Sequence, residues 1–201
     1  REDKHLPKVI ELLAARGLAL SWARYAGDDR RLITEALAHA FGSGDLVFSC
    51  GGIGATPDDH TRQCAAAALR VPLVLHPQAK ALIEERMRDV AREQGVAFDP
   101  DRADNVHRLN MGVFPESASI IPNPYNRIPG FSFRNHHFLP GFPEMAWPML
   151  AWVLDTQYAH AGTERAVEAA IIVREAGESQ LIELMNECLR AYPGLKVFSL
   201  P

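Results

Sequence analysis

The sequence predicts a three-layer α/β fold, with helices on both faces of a mostly parallel sheet, from three observations. The run Leu46-Val47-Phe48 is continuously apolar, as a strand covered on both faces must be. It leads directly into Gly51-Gly52-Ile53-Gly54 and then Thr56-Pro57-Asp58-Asp59, a glycine bend followed by helix-start residues. Apolar residues at helical spacing alternate along the chain with short apolar runs, as successive strand–helix units require.

The elements follow in order. Leu6, Val9, Ile10 and Leu13 keep i, i+3, i+4, i+7 spacing and predict a helix ended by Gly17. A strand–helix repeat should not open on a helix, so the first strand is expected before Arg1. Leu18–Tyr25 alternates and reads as a strand. After the turn Gly27-Asp28-Asp29, with Asp28 as the expected cap, Leu32, Ile33, Ala36, Leu37, Ala40 and Phe41 define a helix with one apolar face. Gly42-Ser43-Gly44 closes it and the central strand follows. Beyond the glycine bend, Ala65–Leu69 is a small-residue helix face, Val71–Leu75 a buried strand, and Pro77–Gln94 an amphipathic helix carrying Leu82, Ile83, Met87 and Val90. Residues 97–110 read as a short helix and loop. Ala118–Ile121 reads as a strand, Asn123–Gly130 as a polar turn, and Phe131–Phe133 with His137–Leu139 as a hairpin. Pro140–Pro143 starts a helix to about Tyr158. The texture changes after Gly162, where Val167–Val173, a helix through Leu181–Leu189 and Lys196–Leu200 predict a small βαβ annex. The chain thus divides into a main domain, 1–160, and an annex, 161–201.

The glycine bend carries the chemistry. Thr56 is the expected N-cap, with Pro57 and Asp59 at the first and third helical positions. Helix-start amides beside glycine suit a phosphate, yet Asp58 and Asp59 would repel one. A divalent cation bridging carboxylate and phosphate resolves that conflict. The alternative is that both aspartates simply cap the helix and oppose its dipole. The site class fits a ligand, since open α/β sheets bind beyond the carboxyl ends of their strands. The spacing is neither G-x-G-x-x-G nor a P-loop.

Gly51-Gly52-Ile53-Gly54-Ala55-Thr56-Pro57-Asp58-Asp59-His60-Thr61 resembles the G-G-x-G-x-T-x-D-D-x-T signature of the MoaB/Mog-type molybdopterin-binding domain, closest to competence/damage-inducible protein A and the similar domain of FAD synthases. Asn110–Pro115 through Asn123 is similar to that family's N-x-x-x-x-P…N stretch, and Leu139-Pro140-Gly141-Phe142-Pro143-Glu144-Met145 to its L-P-G-x-P-x-E-M loop. The resemblance implies the αβα fold and a Gly-Asp-Glu loop ahead of Arg1, and His5 departs from the family's usual asparagine. It implies a pterin or dinucleotide ligand, molybdopterin included, bound by Gly51, Gly52, Gly54, Thr56, Thr61, Asn123, Gly130, Pro140, Gly141 and Glu144. A divalent cation, Mg²⁺ or Co²⁺, would sit on Asp58 and Asp59 as the catalytic pair. Metal-dependent hydrolysis of a nucleotide pyrophosphate such as FAD or ADP-ribose is the implied activity. The alternatives are a binding module without turnover, or a molybdenum-cofactor protein performing adenylyl transfer or metal insertion. Members form dimers or trimers, and a dimer is expected here. The amidohydrolase domain of some competence-type proteins is not matched.

Composition narrows the rest. A chain of 201 residues with net charge −4 disfavours nucleic-acid and anionic-membrane surfaces. No apolar run reaches the ~18 residues of a membrane span, and no signal peptide is visible. Cys50, Cys64 and Cys188 form no C-x-x-C pair, and an odd count suits reduced thiols in a cytoplasm; Cys50 reads as a small buried hydrophobe. His136 and His137 are neighbours on a strand and point to opposite faces, so they cannot share one ion. There is no helical H-x-x-x-H pair and no G-x-S-x-G elbow. Arg127 and Arg134 read as surface residues, with phosphate pairing as the alternative. Glu144 either caps its helix or supplies a third carboxylate.

Overall fold

Strands that must be covered on both faces dictate how the helices distribute. The computed structural model describes residues 2–162 and 169–199, and the chain forms two units, Arg1–Glu164 and Arg165–Pro201. The first unit runs α1 (His5–Ala14), α2 (Arg30–Ser43), β1 (Val47–Cys50), α3 (Thr61–Leu69), β2 (Leu73–Leu75), α4 (Pro77–Glu93) and α5 (Ala103–Leu109). A 3-10 turn at Asn110–Gly112 leads to β3 (Val113–Pro115), β4 (Ser119–Ile121), β5 (Gly130–Phe133), β6 (His136–Leu139) and α6 (Pro143–Gln157).

Two ladders result. The larger sheet has the order β1-β6-β5-β4, and β2 pairs with β3 separately. β1 and β6 are parallel, with Val47 opposite His136 and Cys50 opposite Leu139. The other pairs, β6 with β5, β5 with β4 and β2 with β3, are antiparallel. The sheet is therefore mixed where a mostly parallel one was expected. The cause is the two-residue connection Arg134-Asn135, which folds β5 and β6 into a hairpin, as a link that short must. Leu18–Tyr25 joins no ladder, because no described strand presents its backbone to it. Its side chains tie it down instead: Trp22 Nε1 donates to Asp45 at 2.9 Å and the Tyr25 hydroxyl to Asp3 at 2.5 Å.

Side-chain alternation along β6 builds the three layers. Phe138 joins Leu37, Ile53, Cys64, Ala65, Ala79, Phe114 and Phe131 in a core under α2, α3 and α4. Leu139 joins Leu13, Ile121 and the inner face of α6 in a second core on the opposite side. The rings of Phe114, Phe131 and Phe138 stack in sequence, with centroids 4.8 and 4.4 Å apart. The two histidines separate as the alternation requires: His136 lies against Phe41, centroids 4.3 Å apart, and His137 against Phe48 and Tyr158.

Helix ends follow local chemistry. Asp29, not Asp28, caps α2, its carboxylate accepting from the Leu32 amide at 2.9 Å. The His76 ring caps α4, with Pro77 next to it in the first turn. Cys64 is buried, whereas Cys50, expected inside, is exposed as a residue at the end of β1 while burial of its thiol pushes the pKa up to about 12. Gly130, expected as a ligand residue, lies buried inside β5, where a Cβ would stand 2.4 Å from the Phe138 carbonyl oxygen and the strand requires glycine.

In the second unit, α7 (Glu178–Ala191) is the predicted helix, and none of its residues is buried. The flanking segments 169–173 and 196–199 form no strand, so among the described residues only the helix of the predicted βαβ annex is present. A strand exists only through a ladder, and none is made there. Val167, Glu168 and Leu200, included in the predicted strands, lie outside the described residues.

One buried group gives the main unit a pH signature. His137 is fully buried, its Nδ1 paired with the Ser132 hydroxyl at 2.7 Å and its Nε2 with the Tyr158 hydroxyl at 2.9 Å. Burial, helped by His136, pushes its pKa down to about 4. The unfolded ring titrates near ~6.5, so the unfolded state binds more protons between these values and stability falls as pH drops through that window. The full loss should be about 3 kcal/mol at pH near ~4. Denaturant unfolding from pH 7.5 to 4.5 should show this slope, and His137→Gln should flatten it; equal slopes would refute the assignment.

Candidate functional site

The site forms where β1 stops. The Gly51 amide donates to the Leu139 carbonyl at 2.8 Å, extending the β1–β6 pairing by one residue. The chain then turns through Gly51 (φ +102°) and Gly52 (φ +69°), which side chains rarely allow. Thr61 grips this turn twice. Its amide donates to the Gly52 carbonyl at 2.9 Å and its hydroxyl to the Gly51 carbonyl at 3.1 Å. A Cβ on Gly52 would stand 2.2 Å from that hydroxyl, so the bend admits only glycine.

Between Ile53 and Thr61 the structure departs from expectation. No helix begins at Pro57, and Thr56 is not an N-cap; α3 starts at Thr61. Thr56 acts as a donor, its amide and hydroxyl reaching Asp59 Oδ2 at 2.8 and 2.6 Å. The Asp59 amide returns to the Thr56 carbonyl at 3.0 Å. This local exchange closes a turn and delays the helix, a competition that short polar side chains commonly win. Asp59 lies against Gly54, where a Cβ would come within 2.5 Å of its Oδ2. Asp58 is exposed, and Thr56 together with its own amide holds its carboxyl below the usual range. Among the described residues the Gly52 and Gly54 amides donate to no protein group.

The predicted Pro140-Gly141 loop does reach this bend: Gly141 packs directly on Gly51, with a Cβ on Gly141 falling 3.4 Å from the Gly51 Cα. His5, at the family's asparagine position, pairs its Nε2 with the Gly141 carbonyl at 2.9 Å, tying the start of α1 to the loop. Asp3, which receives the Tyr25 hydroxyl, also accepts from the His5 amide at 2.8 Å.

Other predicted residues go elsewhere. Asn123 is buried, and its side chain is used within its own turn, donating to Asn126 and Ile128 and accepting from Tyr125. It borders a separate groove with Leu82, Pro148 and Trp152. Glu144 stays exposed in the first turn of α6 and does not converge with the aspartates. Among the described residues no three His, Cys, Asp or Glu side chains gather as a ready-made metal centre. Arg127 is committed to Glu85 and Asp89 at 2.7 and 2.9 Å, and Arg134 lies over the Phe133 ring. Neither serves phosphate in this arrangement.

The structure adds residues that no sequence motif marks. Arg62 is 96% buried beneath the loop, with Nη1 on the Asn110 carbonyl and Nη2 on the Gly54 carbonyl at 2.5 Å. Burial lowers its pKa, against the opposing pull of Asp59. Arg30, the first residue of α2, donates from Nε to His60 Nδ1 at 3.2 Å. With Thr56, Asp59, His60 and Asn110 these arginines line a cavity of about 270 Å³. A basic residue in the first turn of a small-residue helix offered no signal of burial, because only the docking of the Asn110 turn covers it.

Three comparisons bear on this geometry. Residues 1–160 match the family described as "Probable molybdopterin binding domain". A CinA-like protein of Anaeromyxobacter dehalogenans (strain 2CP-C) is 32% identical over 165 residues, 80% of this chain and 38% of the relative. A CinA-like protein of Thermomicrobium roseum is 35% identical over 135 residues, 65% of this chain and 31% of the relative. The chain thus spans well under half the length of these relatives. The crystal structure of a CinA protein of Thermoplasma acidophilum, described as of unknown function, superposes with a TM-score of 0.62 at 26% identity, covering 77% of this chain and 87% of that one. With the glycine bend, the Asp58-Asp59 pair and the abutting Pro140-Gly141 loop in one place, the chain belongs to the MoaB/Mog-type molybdopterin-binding domain family and is similar within it to the CinA-like proteins.

Proposed function

We propose that the main unit binds a phosphate-bearing pterin or dinucleotide at Gly51–Thr61 and hydrolyses a nucleotide pyrophosphate of the FAD or ADP-ribose type. The observation that carries this reading is the Asp59 carboxylate, set between Gly54 and an open cavity at the carboxyl end of β1. The donor set fits a hard cation of the Mg²⁺ class. Asp59 retains one carboxylate oxygen beyond its bonds to Thr56, and the ionised Asp58 stands next to it. Such ions take one or two carboxylates and complete their shell from ligand phosphates and water. A divalent cation there, Mg²⁺ or Co²⁺, supplies polarisation of a phosphoryl group and activation of water.

The chain's own residues do the rest. The unengaged amides of Gly52 and Gly54 can accept the charge that develops on the phosphoryl oxygens. Thr56 orients Asp59 through two hydrogen bonds, and Thr61 prevents the bend from relaxing. Gly141, packed on Gly51, closes one side of the cradle.

A specific observation favours a second reading, a carrier module without turnover or a molybdenum-cofactor protein that transfers adenylyl or inserts metal. Thr56 occupies one oxygen of Asp59 and Glu144 does not join the pair, so the acidic set is small for a hydrolase. Cleavage of FAD, ADP-ribose and NAD with Mg²⁺, Mn²⁺ and Co²⁺ separates the readings. Wild type should turn over at least one of them, and chelation should stop it. Asp59→Ala should lower kcat by about a hundredfold or more while ligand still binds. Tight binding with no cleavage in any metal would establish the carrier reading.

A further inference from the structure

The cavity beside the glycine loop holds a charge imbalance that the cation scheme does not use. Its wall carries two guanidiniums, Arg30 and Arg62, and a single carboxylate, Asp59. Among the described residues neither arginine makes an ion pair within 4.0 Å, although nine other arginines do, pairing with aspartates or glutamates. Asp59 itself spends Oδ2 on Thr56.

Arg62 is the unusual group. Its two carbonyl contacts span from Gly54 to Asn110, but carbonyl dipoles do not neutralise a whole charge, and its Nε is buried without a partner among the described residues. A buried guanidinium without a counter-ion is costly, and an apolar side chain would fill the same volume without that penalty. Arg30 approaches the cavity from α2 and uses only Nε, on His60 Nδ1. That bond makes His60 Nδ1 an acceptor and puts the ring proton on Nε2. The Arg30 Nη groups have no protein partner among the described residues. Arg30 brings an unused Nη fork to this polar cavity, the geometry by which guanidiniums take oxyanions bidentately, and Arg62 adds an uncompensated charge with one N–H left on each Nη.

We propose that this cavity is an oxyanion subsite in which Arg30 and Arg62 hold a phosphoryl group directly, with no metal between. It rests on reading the loop as a cradle for a phosphate-bearing ligand, but not on the cation or on turnover. Asp59 then stands between two anion-binding devices. It recruits the cation on one side and partly cancels the arginines on the other, so phosphate binding at the subsite is weaker for its presence.

The test uses inorganic pyrophosphate and ADP-ribose in EDTA, with affinity read by calorimetry on the full chain. Wild type should bind pyrophosphate without metal. Arg30→Gln, an exposed position with no packing role, should weaken it by about tenfold or more. Arg62→Met, checked for native circular dichroism, should do the same. Asp59→Asn should tighten metal-free binding severalfold, opposite in sign to its effect if carboxylate and metal were the whole site. If ADP-ribose follows the same pattern, the subsite takes the ligand's own diphosphate; if only pyrophosphate does, it takes a free anion, and both results support the assignment. No metal-free binding by wild type, or equal affinity in Arg30→Gln, overturns it. Absence of cleavage with metal would defeat the hydrolase reading and leave this one standing.

Discussion

Thr61 is the residue on which the site depends. Its amide and hydroxyl hold consecutive carbonyls of Gly51 and Gly52, so the end of β1 and the start of α3 are joined by two hydrogen bonds across a bend with positive φ. Any side chain on Gly52 would collide with that hydroxyl, and any lengthening would release the loop. The bend also has to lie flat against Gly141, because the Gly51 amide already pairs with the Leu139 carbonyl. One threonine thus couples the parallel strand pair, the glycine loop and the first turn of α3. The chemistry of the site inherits its precision from backbone that cannot move independently.

The sheet below is built to hold that junction still. β6 sends Phe138 into the aromatic stack on one side and Leu139 into the α6 core on the other, so both cores clamp the strand that receives β1. Between them His137 completes a hydrogen-bonded chain from Ser132 to Tyr158 inside the apolar layer. A buried polar chain is stable only when every member is satisfied, and this one favours a neutral imidazole. His136, one residue earlier, lies against Phe41 with no partner for its ring nitrogens among the described residues, and burial lowers its pKa as well.

Electrostatically, the loop is acidic on its surface and basic beneath. Asp58 and Asp59 present carboxylates at the rim, while Arg62 lies under them with its charge opposed by Asp59. The layering explains how an acidic signature can serve an anionic ligand. In the proposed scheme a cation would mediate at the rim and the guanidiniums would act at depth, where lower dielectric strengthens each contact.

The sequence by itself determined the αβα class, most helix positions, the hairpin of β5 and β6, the opposite facing of His136 and His137, and the glycine bend with its family. These are local properties, because apolar period, glycine content and motif spacing act over a few residues. It misjudged what depends on partners. Leu18–Tyr25 and the annex flanks alternate or run apolar, yet alternation makes a strand only where a neighbouring backbone answers it. Thr56 fits a cap by its neighbours, but the competing donor geometry toward Asp59 is settled only once the loop closes on Gly54. The motif cannot show that the hydrogen-bonding groups of Asn123 serve its own turn. The burial of Arg62 was invisible in sequence, because the Asn110 turn that covers it lies 48 residues away and meets it only when the fold is complete.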